Sequence, residues 1–355
     1  MSEFAARYSH FRSLVQSAIN DFLAVQTPQV IAVSDELKPT IDALTEFLSE
    51  GKRLRPAFCH WGYLGAGGTD SGSSIAASAA LEFLQASALI HDDVMDNSDS
   101  RRGRPSIHRR FEARHIEQHM LGSAAQFGTA AAILIGDLAL AWTDTMYYSS
   151  GFDTAALARG KSVLDAMRAE LMAGQFLDVL EQARGGGSVD RALRVMRYKT
   201  TAYTIERPLH LGAALADAGP ATVAAYTAFG VPLGEAFQLR DDLLGVFGDS
   251  EETGKPAGDD LREGKRTVLL ALARERATAV DRDQLDALVG NPQLDANGVD
   301  IVRDILDRTG ARTEVEARIR RNRDHAISAL DSPAITPIGT EMLLALADAA
   351  TNRSA

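Results

Sequence analysis

Residues 75–96, IAASAALEFLQASALIHDDVMD, contain no glycine or proline, and their apolar positions recur with helical rather than alternating spacing. The same periodicity runs through the Ala- and Leu-rich stretches 121–148, 154–184, 221–247 and 265–278. Stop signals separate them: GAGG at 65–68, the triplet Gly185-Gly186-Gly187, and AGP at 218–220. No alternating run of β-branched residues reads as a strand. The expected fold is therefore all-α, with more than ten helices. The helix over 75–96 is expected to end near Asn97. The first ~40 residues read as packing helices with a loop near Pro28, and 281–355 is helical in pattern without an interpretable motif.

A length of 355 residues would by itself suggest about two domains. No Pro/Ser-rich linker or change of composition divides the chain, and the glycine triplet is too short to do so. One domain over 1–355 is expected, with its motif-bearing core at about 50–270. The net charge of −11 and pI near 5.2 argue against a nucleic-acid surface, which needs a basic face, and are compatible with divalent cations. The single cysteine, Cys59, excludes an internal disulfide and a multi-cysteine metal centre. The start MSEFAARYSHFRSLV lacks the basic-then-apolar pattern of a signal peptide. No stretch reaches the ~18 apolar residues of a spanning helix. A cytosolic protein without a transmembrane segment is expected.

Chemistry concentrates in charged clusters at the ends of apolar helices. In LIHDDVMDNSDSRRGRP (89–105), Asp92 and Asp96 lie four apart and share a helix face, where like charges repel. A cation between them removes that penalty, and oxygen-only ligands suit a hard ion such as Mg²⁺. A solvated helix end carrying stray acids would read the same way. A second cluster, EAFQLRDDLLGVFGD (235–249), weakens that bland reading. Its Gln238, Asp241, Asp242 and Gly245 fall on one face, so two acidic helices can confront each other across a bundle cavity. Bases accompany the acids: Lys52, Arg53 and Arg55 in GKRLRP, Arg101 and Arg102 in RRGRP, Lys199 beside Thr200 in YKT, and Lys255 and Lys265 in TGKPAGDDLREGKRT. Any one of these is ordinarily a surface residue. Repeated beside Gly, Pro and Asp at helix ends, they point to phosphate binding.

Other motifs fail on inspection. GDDLREGKRT lacks the spacing of a phosphate-binding P-loop, with Arg266 at its Ser/Thr position. HIEQH (115–119) has Ile116 where a zinc-protease helix carries Glu, so its histidines read as a solvated face. No Gly-x-Ser-x-Gly nucleophile motif occurs.

Taken together, GKRLRP, LIHDDVMDNSDSRRGRP, KT, FQLRDDLLGVFGD and GKPAGDDLREGKRT resemble, in order and spacing, the motifs of trans-isoprenyl (polyprenyl) diphosphate synthases over residues 50–270. The resemblance implies an all-α bundle around a deep central cavity, a homodimer, and condensation of isopentenyl diphosphate with an allylic prenyl diphosphate. It implies three Mg²⁺ ions, two on Asp92 and Asp96 and one on Asp241. Arg101, Lys199 and Lys265 would assist the allylic diphosphate; Lys52, Arg55 and Arg102 would bind that of isopentenyl diphosphate. Gln85 stands where relatives commonly carry His, and Thr200, Gln238 and Lys255 match further active-site positions. Gly245 departs from the pattern, replacing the third aspartate of the second motif.

Two other classes compete. A terpene cyclase also ionises a prenyl diphosphate, but has no use for a second diphosphate site. A non-catalytic subunit of a heteromeric synthase should have lost acids or bases that this chain keeps, and only Gly245 speaks for it. On product length, the resemblance implies that the positions four and five before Asp92 set the floor for the growing tail. Here they are Ala88 and Ser87 rather than aromatics. A stripe of Ala80, Leu84, Ser87 and Ala88 would then run beneath Asp92, with Phe83 and Leu84 closing it. Geranylgeranyl diphosphate is the expected product, with farnesyl or longer polyprenyl diphosphates as alternatives.

Overall fold

The long acidic helix begins and ends where its sequence dictates. Ser71 caps the first turn, its hydroxyl accepting from the Ser74 N–H, and the helix runs Gly72–Met95. Beyond Asp96, Asn97 turns left-handed at φ 52°, one of the few residue types that tolerates this. The Ser98 N–H then reaches the Asp93 carbonyl and the Asn97 N–H that of Val94, so the last carbonyls are satisfied and the chain reverses.

The computed structural model describes residues 3–248 and 258–351. Ahead of this helix (α4) lie α1 (Glu3–Ile31), α2 (Lys38–Leu48) and α3 (Leu54–Gly65). After it come α5 (Ile107–Glu117), α6 (Ala124–Tyr148), α7 (Thr154–Arg184), α8 (Val189–Met196), a π-helical segment (Arg197–Glu206), α9 (Arg207–Leu215) and α10 (Pro220–Phe247). The chain ends with α11 (Asp259–Arg262), α12 (Val268–Arg276), α13 (Ala279–Leu288), α14 (Ala296–Arg308), α15 (Ala311–Ala329) and α16 (Pro337–Thr351). The all-α expectation holds, as does the break at the glycine triplet between α7 and α8. Two details differ. Helix α1 continues through Pro28 to Ile31, because a proline so near the C-terminus removes only one of the last backbone bonds. A two-stranded hairpin also pairs Ser100–Arg101 with Arg104–Pro105. Its turn residues Arg102 and Gly103 have φ of 54° and 72°, the positive pair that a tight two-residue hairpin requires.

Packing follows the helical stripes. Helix α7 buries Leu157, Gly160, Leu164, Met167, Leu171, Gly174, Asp178 and Glu181, alternating steps of three and four. That single stripe changes from apolar to acidic along its length. Two apolar clusters form the core. Helix α10 threads both, contributing Tyr226, Phe229 and Leu233 to the first and Leu239, Leu243 and Val246 to the second. Where the clusters meet, an open cavity remains.

Two helices, α4 and α6, reach the length and mean hydropathy (1.3 and 1.5) of membrane-spanning segments, more than the count of strictly apolar residues foretold. Alanines raise these averages. The fold buries 72% of the apolar window of α4 but only 28% of that of α6. Leu134 (68% exposed), Ile133, Phe127 and Tyr148 therefore leave α6 with an uncovered apolar face.

Candidate active site

The cavity between the clusters measures about 710 Å³. Helix α4 presents Gln85, Ala88, Leu89 and Asp92, one face at spacings of three and four. Opposite, α10 presents Phe237, Gln238, Asp241, Asp242 and Gly245. Lys199, Thr200 and Tyr203 come from the π-helical segment, Lys52 and Arg55 from the entry to α3, Arg101 from the hairpin, and Lys265 from the turn after α11. Ten of the candidate catalytic and substrate-binding residues thus line one cavity: Lys52, Arg55, Gln85, Asp92, Arg101, Lys199, Thr200, Gln238, Asp241 and Lys265.

Three others behave differently. Asp96 stands one turn beyond Asp92, off the wall but within the fields of Asp92, Lys265 and Lys199. Arg102 does not line this cavity. The positive φ of the hairpin turn sends it to a neighbouring pocket, where its Nη1 donates to the carbonyls of Phe47 (3.3 Å) and Glu50 (2.9 Å). Lys255 lies outside the described residues. Of the stripe Ala80, Leu84, Ser87 and Ala88, only Ala88 reaches the wall; the other three are buried in helix packing. The HIEQH histidines also divide: His115 is buried, with Nε2 3.0 Å from the Leu121 carbonyl oxygen, while His119 is exposed.

GKRLRP sorts its cations by direction. Arg53 turns inward, 4% exposed, pairing with Glu82 and donating to Gln16 Oε1. Anchored there, it leaves Lys52 and Arg55 facing the cavity. Arg55 donates to Thr204 Oγ1 at 2.7 Å and lies over the Tyr203 ring at 4.1 Å, while the Tyr203 hydroxyl donates to Gln85 Oε1 at 2.6 Å.

A π turn at this point is informative, because such departures from α-helix recur at functional sites. Helix α7 approaches it closely: a Cβ on Gly174 would lie 2.4 Å from the Lys199 backbone nitrogen. Lys199 Nζ consequently reaches both Asp178 Oδ2 (2.6 Å) and Asp92 Oδ1 (3.1 Å), and Gln175 Nε2 donates to the same Asp92 oxygen at 2.8 Å. Asp93, 1% exposed, accepts from Arg101 Nε at 3.0 Å and from its Nη2, holding that guanidinium 3.7 Å from Asp92 Oδ2. Gln175, Asp178, Asp93 and Tyr203 were not foreseen as site residues. The available signal was in GQFLD, where a carboxylate occupies the otherwise apolar stripe of α7.

The acids divide electrostatically. Burial would raise the Asp92 carboxyl, but Lys199, Lys265 and Arg101 outweigh it and hold it below the ordinary range. Asp96 is pushed up to about 6, first by burial and then by the charge of Asp92. Burial pushes Asp242 up to about 7; the charges of Asp260 and Asp241 add to the rise, against a hydrogen bond from Gln238 Nε2 (2.8 Å). Burial also works against the charge of Lys199, yet Asp92 and Asp178 leave it raised. Lys265 is raised well above its ordinary value by Asp260 and Glu263, again in spite of burial.

These donors fit a hard divalent cation. Asp96 Oδ1 is buried without a hydrogen-bond partner, in a carboxyl whose charge the protein alone disfavours. Among the described residues no three His, Cys, Asp or Glu side chains are already gathered for a metal. Magnesium takes one or two carboxylates and completes its shell with phosphate oxygens and water.

Acids for a cation, bases for phosphate oxygens and an apolar wall define a site for a phosphorylated, greasy molecule. The sequence profile of the polyprenyl synthetase family matches residues 38–306, and the chain belongs to that family. It is accordingly a prenyltransferase. A geranylgeranyl pyrophosphate synthase from Corynebacterium glutamicum, solved with isoprenyl diphosphate and magnesium, superposes with a TM-score of 0.94 at 40% identity, over 98% of this chain and 99% of that one. The geranylgeranyl diphosphate synthase of Mycobacterium tuberculosis is 37% identical over 232 residues, 65% of this chain and 61% of its own length. The geranylfarnesyl diphosphate synthase of Aeropyrum pernix is 30% identical over 340 residues, 94% of this chain and 98% of its own.

Proposed function

We propose that the protein condenses isopentenyl diphosphate with an allylic prenyl diphosphate in a magnesium-dependent reaction, with geranylgeranyl diphosphate as its product. The observation that carries this reading is the single apolar-walled cavity on which both acidic helices and the Lys/Arg ring converge. Lys199, Lys265 and Arg101 face the allylic diphosphate. The allylic C–O bond breaks, the electron pair leaves with the diphosphate, and these cations stabilise the charge it gains. Asp92, Asp96 and Asp241 would hold magnesium, three ions in all, and the metal would add positive charge against that leaving group. Lys52 and Arg55 hold isopentenyl diphosphate; Arg102 is left out of this assignment because two backbone carbonyls hold its guanidinium elsewhere. The isopentenyl double bond attacks the allylic cation, a C–C bond forms, and the proton lost passes to the departed diphosphate. Leu89, Leu171 and Phe237 exclude the water that would otherwise capture the cation.

Two features support the product length. Ala88, at the wall beside Asp92, leaves room where an aromatic would close it. The resemblance to geranylgeranyl diphosphate synthases at 40% and 37% identity supports the same length. The uncovered face of α6 supports a homodimer. Incubating the purified protein with isopentenyl and farnesyl diphosphates and Mg²⁺, then chromatographing the dephosphorylated products, tests the reading. Geranylgeraniol is expected. A cyclic hydrocarbon, or no isopentenyl incorporation, would overturn it; a shorter or longer alcohol would overturn the length alone.

A further inference from the structure

The second acidic motif has a glycine where a third aspartate would share the face of Asp241. The space is not empty. A Cβ built on Gly245 would lie 2.0 Å from Asp260 Oδ2 and 2.9 Å from its Cγ, so the Asp260 carboxylate occupies the volume in which a side chain at 245 would begin. We infer that Asp260 supplies the third acidic group of this cluster from α11, and that the bare backbone of Gly245 is what admits it. This deepens, and rests on, the magnesium site proposed above.

A simpler role for Asp260 would be counter-ion to Lys265, whose Nζ it meets at 3.0 Å. Glu263 already fills that role at 2.7 Å. With Asp260, two carboxylates serve one ammonium, and Asp241 and Asp242 stand on the facing helix. Both Gly245 and Asp260 line the cavity. The backbone that carries this carboxylate is fixed on both sides: Gly258 turns left-handed (φ 78°) to start α11, and the Lys265 N–H bonds the Asp260 main-chain carbonyl at 3.1 Å. Held so, the carboxylate can accept hydrogen bonds from the waters of a bound cation. Acid count is preserved in space although the sequence motif is one short.

The test is Mn²⁺ binding to the full chain with inorganic pyrophosphate, followed by the EPR signal of free Mn²⁺ without prenyl substrate. Asp260→Asn should weaken binding roughly tenfold, the lower end for losing a supporting group around a metal. Gly245→Ala should do the same by displacing the carboxylate, and the pair together should lose no more than Asp260→Asn alone. Exchanging the acids, Gly245→Asp with Asp260→Gly, should return binding to within about threefold of wild type. Wild-type affinity in Asp260→Asn, or no recovery in a folded exchange variant, overturns the inference. If Gly245→Ala fails to fold, by circular dichroism, those two variants still decide. Asp241→Asn separates the two levels. Binding that depends on Asp241 but ignores Asp260 removes only this inference; wild type that binds no Mn²⁺, or binding that ignores Asp241, removes the metal site as well.

Discussion

Lys199 is the cation on which the charge of the site balances, and Lys199→Met measures how much. Methionine keeps most of the length and apolar stem while removing the charge. In the structure Nζ lies 3.1 Å from Asp92 and 2.6 Å from Asp178, with all three side chains at least 79% buried. At an effective dielectric near 20, the two contacts are worth about 5 and 6 kcal/mol of attraction, much of it cancelled by desolvation. Removing one partner of such a buried pair costs about 3–5 kcal/mol, and residual exposure argues for the lower end. A chain of 355 residues should unfold with an entropy of about 0.75 kcal/mol/K, so ~3 kcal/mol lowers Tm by about 4 °C. The assay is differential scanning calorimetry in EDTA and again in saturating Mg²⁺. The variant should lose stability in EDTA and gain more from Mg²⁺ than wild type does, because a second cation now relieves Asp92 and Asp178. Turnover should fall by roughly 100-fold, the scale for losing a leaving-group contact. An unchanged Tm in EDTA would refute the charge argument. A lower Tm with an unaltered Mg²⁺ response would make Lys199 a packing residue only.

Asp242→Asn should cost turnover less than ~10-fold and Asp241→Asn at least ~100-fold, since a buried carboxyl near 7 is half-neutral already; steady-state rates across a Mg²⁺ titration rank them. Ala88→Phe should shorten the main product, whereas Ser87→Phe, off the wall and 3% exposed, should cost about 1–3 kcal/mol of stability by overpacking without redirecting chain length; product chromatography beside thermal melts separates them. Burial holds His60 down to about 4, against 6.5 when exposed, with Asp70 opposing the shift. Between those values the unfolded chain binds the extra proton, so stability falls as pH drops from about 6.5 to 4, by up to about 3 kcal/mol, and His60→Gln should remove that part of the slope in urea titrations. If the protein forms the proposed homodimer through α6, Leu134→Asp should sediment as a monomer where wild type sediments as a dimer; a variant that stays dimeric would take α6 out of the interface.

The helices were legible because periodicity survives without tertiary information: the α7 stripe can be read directly from steps of three and four. The charged motifs were legible for a similar reason, since acids and bases at the ends of apolar helices need partners. Direction was harder. Arg101 and Arg102 are adjacent, and only the positive φ of the hairpin turn sends one inward and the other away. Pro28 looked like a break because a sequence does not show how few helix bonds remain beyond it. Ser87 and Ala88 differ by one residue, and which of them reaches the cavity depends on how α4 is rotated against its neighbours. Asp260 was invisible as a partner of Gly245, since nothing in sequence spacing links a residue after a loop to a missing side chain on α10.

The π-helical segment sets what kind of change this chain can absorb. A π turn takes in more residues than the α turn it interrupts, so Arg197–Glu206 gives α9 a phase that an uninterrupted helix from α8 would not. A substitution there exchanges one side chain. A deletion resets bearings, because each lost residue rotates all that follows by roughly 100° about the axis. Lys199 would stay beside Gly174, while Tyr203 and Thr204 would swing away from Gln85 and Arg55. The glycine triplet a few residues earlier could lose or gain a residue with little effect. Length in this region is therefore free on one side of α8 and frozen on the other.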